Sequence, residues 1–235
     1  MVIYRGTAAD DRYTNLTDEP LLAYGYSGND NFWGNSAADS LYGGSGNDSL
    51  FAGDEDDYLV GGADNDYLSG YTGDDSLYGG YGNDTLDGYY GNDILYGGDG
   101  NDTITGTQAN YILLDGRGND LLVGDRSDRN STDFDTLTGG TGADTFVLGD
   151  SDRGLNSVYI GVGYEGEGYA TITDFSRRQG DKIQVAGSIT DYSVDKSVNF
   201  SGGSALDTGI YYGDDLIAVV QDTTKVYLSR DFNFV

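Results

Sequence analysis

The amino-acid sequence predicts an all-β fold, a flattened spiral of 18-residue coils whose short strands stack into two parallel sheets. Three observations lead to this prediction. The chain repeats every nine residues from Gly43 to Thr105 without a slip in register. Each unit opens with glycine-rich turn residues, carries Asp at its sixth position and has an aliphatic residue at its eighth. A fixed short period of this kind indicates one structural unit stacked on itself.

The nine-residue unit contains too few apolar residues for a helix, which needs three or four of them in two turns. Three residues around the eighth position can instead form a very short strand whose middle side chain points inward. The six residues before it, rich in Gly and Asn, are typical of turns. Two units make one coil, and the inward residues form a thin core between the sheets: Leu50, Leu59, Leu68, Leu77, Leu86, Leu95 and Ile104.

The sixth-position aspartates fall into two columns, because units two apart lie on the same side of the spiral. The first column contains Asp30, Asp48, Asp66, Asp84, Asp102, Asp120 and Asp144, and the second contains Asp57, Asp75 and Asp93. Carboxylates stacked at the inter-strand spacing of about 4.8 Å repel by roughly 0.9 kcal/mol in water and by about 3.5 kcal/mol at an effective dielectric constant of about 20. These columns therefore require a neutralising charge.

The neutralising charge has to come from outside the repeats. No Lys or Arg occurs between Tyr13 and Gly116, whereas the stretch from Gly25 to Thr105 holds sixteen acidic residues. The available ligands are carboxylates and glycine-freed carbonyls, without nitrogen or sulfur donors. Such ligands select a hard cation, and a flexible loop cage favours Ca²⁺ over Mg²⁺. The sequence thus predicts several bound calcium ions.

The repeats resemble the glycine-rich nonapeptide GGxGxDxUx of the RTX (hemolysin-type) calcium-binding family, over at least Gly25 to Val147. The resemblance implies a right-handed parallel β-roll in which each Ca²⁺ lies between two loops that are two units apart. It also implies that both sixth-position Asp side chains bind the ion, together with backbone carbonyls from the first four loop positions. The expected loop ligands are Gly44, Gly46, Gly62, Asp64, Gly80, Gly82, Gly98, Gly100, Gly116 and Gly118.

The two columns differ in quality. The first keeps its glycines and repeats Asn at the fifth position, at Asn29, Asn47, Asn65, Asn83, Asn101 and Asn119. In the second, Asn35-Ser36-Ala37-Ala38 precedes Asp39, and Tyr111 replaces the Asp of the last unit. Losing a carboxylate and the freedom of glycine predicts weaker or absent calcium at the end of the second column.

Tyrosines are concentrated in the units of the second column: Tyr42, Tyr58, Tyr71, Tyr78, Tyr89, Tyr90, Tyr96 and Tyr111. One interpretation is an aromatic ladder that stabilises a sheet. The other is a contact face for sugar, for a neighbouring domain or for another copy of the chain. An ice-binding face is disfavoured, because the third loop position varies from Ser45 to Arg117.

Outside the repeats, we expect residues 1–24 to form an N-terminal cap of degenerate repeats and residues 148–235 a β-rich C-terminal cap, with the roll at 25–147. The period breaks between Gly124 and Thr138, where six extra residues, including Arg126 and Arg129, have to loop out. The segment Ile172-Thr173-Asp174-Phe175 and Gly180-Asp181-Lys182-Ile183 resembles the sequence that follows RTX repeats. Gly209 to Val220 predicts a hairpin and Val226 to Leu228 another short strand.

Composition excludes several functions. The chain has no His and no Cys, which removes Ser-His-Asp triads, thiolate chemistry and His-ligated zinc. A net charge of −28 argues against nucleic acid and anionic membrane surfaces. No apolar run is long enough for membrane insertion, and the N-terminal residues do not form a signal peptide. The ending Asp231-Phe232-Asn233-Phe234-Val235 resembles that of secreted RTX proteases, so we expect extracellular location through type I export.

The sequence therefore predicts a secreted calcium-binding module with a structural or adhesive role and no enzymatic activity. Its expected partners are calcium ions and a cell-surface polysaccharide or neighbouring domain. Two alternatives stay open. The chain could be the C-terminal secretion and folding domain of an RTX enzyme, such as a protease, lipase or epimerase, or a sugar-binding β-roll face.

Overall fold

The computed structural model describes residues 1–106, 109–124, 134–148, 169–200, 202, 204–223 and 225–235. The strands of the repeat region are β1 (Val2–Arg5), β2 (Arg12–Thr14), β3 (Leu21–Ser27), β4 (Asn31–Trp33), β5 (Ser40–Ser45), β6 (Ser49–Asp54), β7 (Tyr58–Ala63), β8 (Tyr67–Thr72), β9 (Ser76–Tyr81), β10 (Thr85–Tyr90), β11 (Ile94–Asp99), β12 (Thr103–Thr105), β13 (Ile112–Leu114), β14 (Leu121–Val123), β15 (Phe134–Thr138) and β16 (Thr145–Leu148). Those that follow are β17 (Tyr169–Ile172), β18 (Lys182–Val185), β19 (Tyr192–Val198), β20 (Asp207–Tyr212), β21 (Asp215–Val220) and β22 (Phe232–Phe234).

Alternate strands build two sheets. One has the order β1-β3-β5-β7-β9-β11-β13-β15-β17-β21-β20-β19, and the other β2-β4-β6-β8-β10-β12-β14-β16-β18-β22. All neighbours are parallel except the pairs β19–β20 and β20–β21, which are antiparallel. This is a parallel spiral of stacked coils, and it confirms the predicted β-roll with a strand-rich C-terminal region.

The nine-residue period sets the register. Leu50 pairs with Leu68, which pairs in turn with Leu86 on the same sheet, so that equivalent residues meet one coil apart. The inward residues predicted from the eighth position, Leu50 to Ile104, are all fully buried and belong to one hydrophobic cluster. Since each coil contributes only two such side chains, the core is a double row of leucines between the sheets.

Strands in the central coils are longer than predicted. From β5 to β11 each strand has six residues and runs from the seventh position of one unit to the third position of the next. The opening glycines therefore lie on the strand and take part in the ladder, as in the pairing of Gly44 with Gly62. Only positions four to six form the turn. Propensity reasoning assigned the glycines to turns, but a parallel ladder of identical glycines also satisfies their backbone groups.

The register changes where the period is interrupted. The backbone N–H of Tyr111 donates to Oδ1 of Asp135, 24 residues further along the chain. In the preceding coil the corresponding separation, from Asn92 to Asn110, is 18 residues. Leu121 likewise pairs with Thr145, so the six extra residues are accommodated without disturbing either sheet, as predicted. Arg126 and Arg129 lie outside the described residues.

The C-terminal region completes both sheets. The predicted hairpin is confirmed by the antiparallel pair β20 and β21, and β21 extends the first sheet by pairing with β17. The predicted strand at Val226 to Leu228 is wrong: a short helix, α1 (Leu228–Asp231), follows irregular chain there, and β22 begins at Phe232. A 3-10 turn covers Ile189–Asp191. Within the described ranges, no helix has the length and apolar character to cross a membrane.

Candidate metal centre

The ten predicted sixth-position aspartates all lie in the two columns, each directly before a strand. They are buried, with relative exposures of 0 to 4 %. The turn at positions four to six brings the carboxylate back beneath its own loop: a Cβ added to Gly43 would lie only 2.1 Å from Oδ2 of Asp48. The first loop position is therefore small because the carboxylate occupies the space beside it.

One oxygen of each carboxylate holds two coils together. The backbone N–H of Asp48 donates to Oδ1 of Asp66 at 2.7 Å, and that of Asp66 donates to Oδ1 of Asp84 at 2.8 Å. The second column repeats the bond, for example from Asp57 to Asp75 at 2.8 Å. Because every Oδ1 accepts from the preceding coil, the carboxylates form a ladder along each column.

The fifth-position residues form a second ladder that runs the opposite way. The N–H of Asn65 donates to Oδ1 of Asn47 at 2.9 Å, so each side chain accepts from the following coil. Asp74 and Asn92 form the same bond in the second column, at 2.8 Å. The recurrence of Asn was visible in the sequence, but its role in joining coils was not predicted.

The second carboxylate oxygen has no hydrogen-bond partner. Oδ2 is buried and without a donor in a set that spans both columns: Asp30, Asp48, Asp57, Asp66, Asp75, Asp84, Asp93, Asp102, Asp115, Asp120 and Asp144. A buried, unpaired carboxylate oxygen is costly, because it has lost its water and gained nothing in return. A cation between successive loops would supply the missing partner, so the residues present fit the calcium predicted from the sequence.

Burial raises the pKa values of these carboxylates. It raises the pKa of Asp48 and Asp75 to about 7, of Asp57 and Asp66 to about 8, and of Asp84 to about 6. Hydrogen bonds from the neighbouring coil lower each pKa, and neighbouring carboxylates raise it further, but burial is the largest cause. At neutral pH the ion-free folded roll is therefore disfavoured wherever these groups are charged.

Loop glycines at positions two and four adopt a left-handed backbone. The predicted ligands Gly44, Gly46, Gly62, Gly80, Gly82, Gly98, Gly100 and Gly118 have φ between +107° and +158°. Asp64, at a fourth position, has φ +77°. Gly116 is not left-handed, but a Cβ there would lie 2.2 Å from the carbonyl oxygen of Gly98. Carbonyls at these positions point toward the next loop, which leaves no room for side chains.

Three other aspartates at the same position differ from this pattern. Asp39 accepts the N–H of Asn35 at Oδ2 (3.0 Å), so its second oxygen is satisfied by its own loop. Asp11 accepts from the N–H of Thr7 at 2.5 Å, and Asp181 from that of Ser176 at 2.6 Å. These loops, at the ends of the columns, meet the carboxylate's requirement without an ion.

Tyr111 fills the loop in which the second column loses its Asp. The side chain is fully buried, and a Cβ at Gly106 would lie 2.3 Å from its ring. The ring thus occupies the space that the carboxylate takes in other loops. Among the described second-column residues, Asp57, Asp75 and Asp93 are the ones with an unpartnered Oδ2.

Asp115 was not predicted as a site residue. It stands at the first position of its loop, where the other first-column loops have Gly, and its side chain is directed inward. One carboxylate oxygen from each of Asp102, Asp115 and Asp120 lies within 4.8 Å of the others. The signal was available in the sequence as an acidic residue at a glycine position, but its inward direction depends on the local backbone just after β13 ends at Leu114.

The tyrosines of the second-column units do not share one face. Tyr42, Tyr58, Tyr78 and Tyr96 lie on the sheet of β5 and β7, where neighbouring rings are 5.3 to 6.4 Å apart. Tyr71 and Tyr89 stack at 5.3 Å on the other sheet, and Tyr90 ends the same strand as Tyr89. Since a strand begins at the seventh position, grouping tyrosines by unit combined residues from two sheets. The rings do form ladders.

Fold and site together define a calcium-binding parallel β-roll. The family model described as RTX calcium-binding nonapeptide repeat (4 copies) matches residues 24–59, 51–83, 69–104, 78–113 and 131–152. These matches and the stacked parallel coils fit a β-roll of RTX calcium-binding repeats. A search of the curated proteins returned no match.

Proposed function

We propose that this chain is a secreted module that folds on binding several calcium ions, with a structural or adhesive role and no enzymatic activity. The observation that carries the proposal is the pair of buried columns of Oδ2 atoms without hydrogen-bond donors. Without ions the columns place like charges along both edges of a thin core. Ions that bind the folded chain and not the unfolded chain stabilise it directly, so that binding and folding are coupled.

The donor set supports calcium in particular. Each gap between loops offers two sixth-position carboxylates and the carbonyls of the left-handed loop residues, and calcium when bound supplies the positive charge that these oxygens lack. Ca²⁺ accepts six to eight oxygen ligands in irregular geometry, whereas Mg²⁺ demands a tight octahedron. Loops whose positions two and four are held by backbone conformation suit the larger ion.

Extracellular location follows from the same chemistry. Repeated loop sites of carboxylates and carbonyls suit the affinity range of extracellular modules, about 10⁻⁴ to 10⁻³ M. At cytosolic calcium concentrations the chain would remain unfolded, which suits passage through a type I export channel. RTX repeat proteins are typically secreted, and this supports the assignment.

A non-enzymatic role is supported by the positions of the acidic groups. Chemistry at paired carboxylates requires one of them in a cleft that a substrate can enter. Here the carboxylates with raised pKa values face the gaps between stacked loops, where an ion would hold them charged. The lack of His and Cys removes the commonest alternative catalytic groups.

A polysaccharide or a neighbouring domain is the second partner that we propose. The row of Tyr24, Tyr42, Tyr58, Tyr78 and Tyr96 on the first sheet supports it, since Tyr58 and Tyr96 are 37 % and 38 % exposed. Exposed rings with polar edges are suited to contact with sugars or with another protein surface. Screening a glycan array in calcium, with a Tyr58→Ala and Tyr96→Ala double variant as control, tests this partner.

Calcium-dependent folding is tested by far-UV circular dichroism of the full chain. In chelator we expect a coil-like spectrum, and addition of Ca²⁺ at sub-millimolar to millimolar concentration should convert it to β. Mg²⁺ at the same concentrations is the control and should produce little change. A β spectrum that persists unchanged in excess chelator at neutral pH would contradict the proposal.

A further inference from the structure

One loop of the first column carries a carboxylate at a position where the other loops have glycine. The first loop position is glycine at Gly25, Gly43, Gly61, Gly79, Gly97 and Gly139, but it is Asp115 in the loop 115–120. The residue is 6 % exposed. Its Oδ1 accepts the N–H of Gly116 at 2.7 Å, and its Oδ2 is buried without a hydrogen-bond partner.

Two further carboxylates face the same space. Asp102 and Asp120 are 2 % and 3 % exposed, and the Oδ2 atom of each also lacks a donor. Their Oδ1 atoms are already engaged with the preceding coil, by Asp84 at 2.7 Å and by Asp102 itself at 2.9 Å. The three buried residues are also close together, since one carboxylate oxygen from each lies within 4.8 Å of the others.

The surrounding residues preserve that gap. A Cβ added to Gly97 would lie 2.6 Å from both Oδ2 of Asp102 and Oδ1 of Asp115, so only glycine leaves room for the two carboxylates. The nearby guanidinium of Arg117 is exposed and forms its ion pair with Asp99 at 3.2 Å. Its charge is thus directed to the outside of the loop and not to the three buried groups.

We propose that Asp102, Asp115 and Asp120 form a three-carboxylate calcium site between the loops 97–102 and 115–120, the highest-affinity site of the roll and the one that prefers trivalent lanthanides. The inference rests on the proposed function and goes beyond it, because a regular gap offers two carboxylates. Affinity of calcium sites rises with the number of charged ligands. A third carboxylate favours an ion of higher charge still, so Tb³⁺ fills this site first.

Calcium titration against a chromophoric chelator tests the affinity. Asp115→Asn keeps the shape of the side chain and removes its charge, and Asp115→Gly restores the loop to the pattern of its neighbours. Both should weaken the tightest binding step by about tenfold or more while the weaker steps are retained. The control is Asp214→Asn, which removes an exposed charge from the turn between β20 and β21, outside the columns, and should leave the tightest step within about twofold.

Crystals of the unmodified chain with one equivalent of Tb³⁺ locate the site independently of any variant. The anomalous scattering peak should lie among the three carboxylates. A peak elsewhere overturns the inference. An Asp115→Asn variant whose tightest binding step is unchanged also overturns it, and this is the result expected if the three carboxyl groups share a proton and hold no ion. In either case calcium binding at other sites leaves the proposed function standing. A full chain that binds no calcium overturns both.

Discussion

Replacing Asp84 by Asn should stabilise the calcium-free roll and destabilise the calcium-bound roll. Burial raises the pKa of Asp84 from 3.8 to about 6. This difference in pKa between the folded and the unfolded chain corresponds to about 3 kcal/mol by which the ionised group opposes folding at pH 7. The amide of Asn keeps the acceptor for the N–H of Asp66, but burying its donors costs about 1 kcal/mol. The expected net gain without calcium is about 2 kcal/mol.

In the calcium-bound roll the same substitution is destabilising. Asp84 lies between two gaps of the first column, so its loss weakens the ion on either side. A tenfold loss of affinity at each corresponds to about 1.4 kcal/mol per site, or about 3 kcal/mol in total. Osmolyte-induced folding in chelator measures the first effect by circular dichroism, and urea unfolding in saturating calcium measures the second.

The matched control is Asp39→Asn. Oδ2 of Asp39 accepts the N–H of Asn35. An Asn side chain that placed its amide nitrogen there would present a donor where this N–H requires an acceptor. We expect no gain without calcium and a much smaller loss of calcium affinity than at Asp84. If Asp84→Asn weakens both forms equally, or if Asp39→Asn behaves in the same way, the interpretation of Oδ2 as an ion ligand is refuted.

Two further outcomes follow from the loops. Column aspartates such as Asp84, Asp48 and Asp57 have pKa values of about 6 to 8 in the folded roll, against 3.8 in the unfolded chain. The folded form therefore binds more protons. Stability without calcium is therefore greatest below about pH 4 and falls as pH rises through 8; calcium-free circular dichroism should show β structure in acid, and its absence there would count against the burial argument. Gly46→Ala should destabilise the calcium-bound roll by several kcal/mol. Its φ of +107° alone accounts for roughly 1 kcal/mol, and the remainder comes from a Cβ that would lie 2.1 Å from the carbonyl oxygen of Gly28. Gly213→Ala is its control in urea unfolding, since Gly213 has φ +58° and nothing within 4 Å; equal losses would show that the close approach of the loops is unimportant.

Periodicity predicted the coil, the register and the ten column aspartates, because a stacked unit repeats its own neighbours. Leu68 meets Leu50 and Leu86 for no other reason than its place in the period. The 24-residue offset at Asp135 was predictable in the same way. Wherever one unit resembles the next, a sequence therefore determines three-dimensional contacts almost directly.

The departures from the repeat were less predictable. Whether Asp39 needs an ion depends on an N–H of its own loop, and whether Asp115 points inward depends on the backbone direction just after β13 ends at Leu114. Both are matters of local backbone direction that a pattern of residue types does not specify. The same limit explains the tyrosines: Tyr71 and Tyr78 belong to one repeat unit but lie on opposite sheets.

The carboxylate ladder gives the stack a direction of growth. Since each N–H of a column aspartate is received by the coil that follows, that N–H stays without its acceptor until the next coil is in place. Asp181 fulfils this role for Asp144 at 3.3 Å, and Asp174 receives the N–H groups of Gly139 and Gly140. The C-terminal strands therefore present a finished template, against which one coil after another can be added toward Met1. In a stack built in this way each new coil pairs with the exposed strands of the coil before it, and the last coil to form is the first to fray.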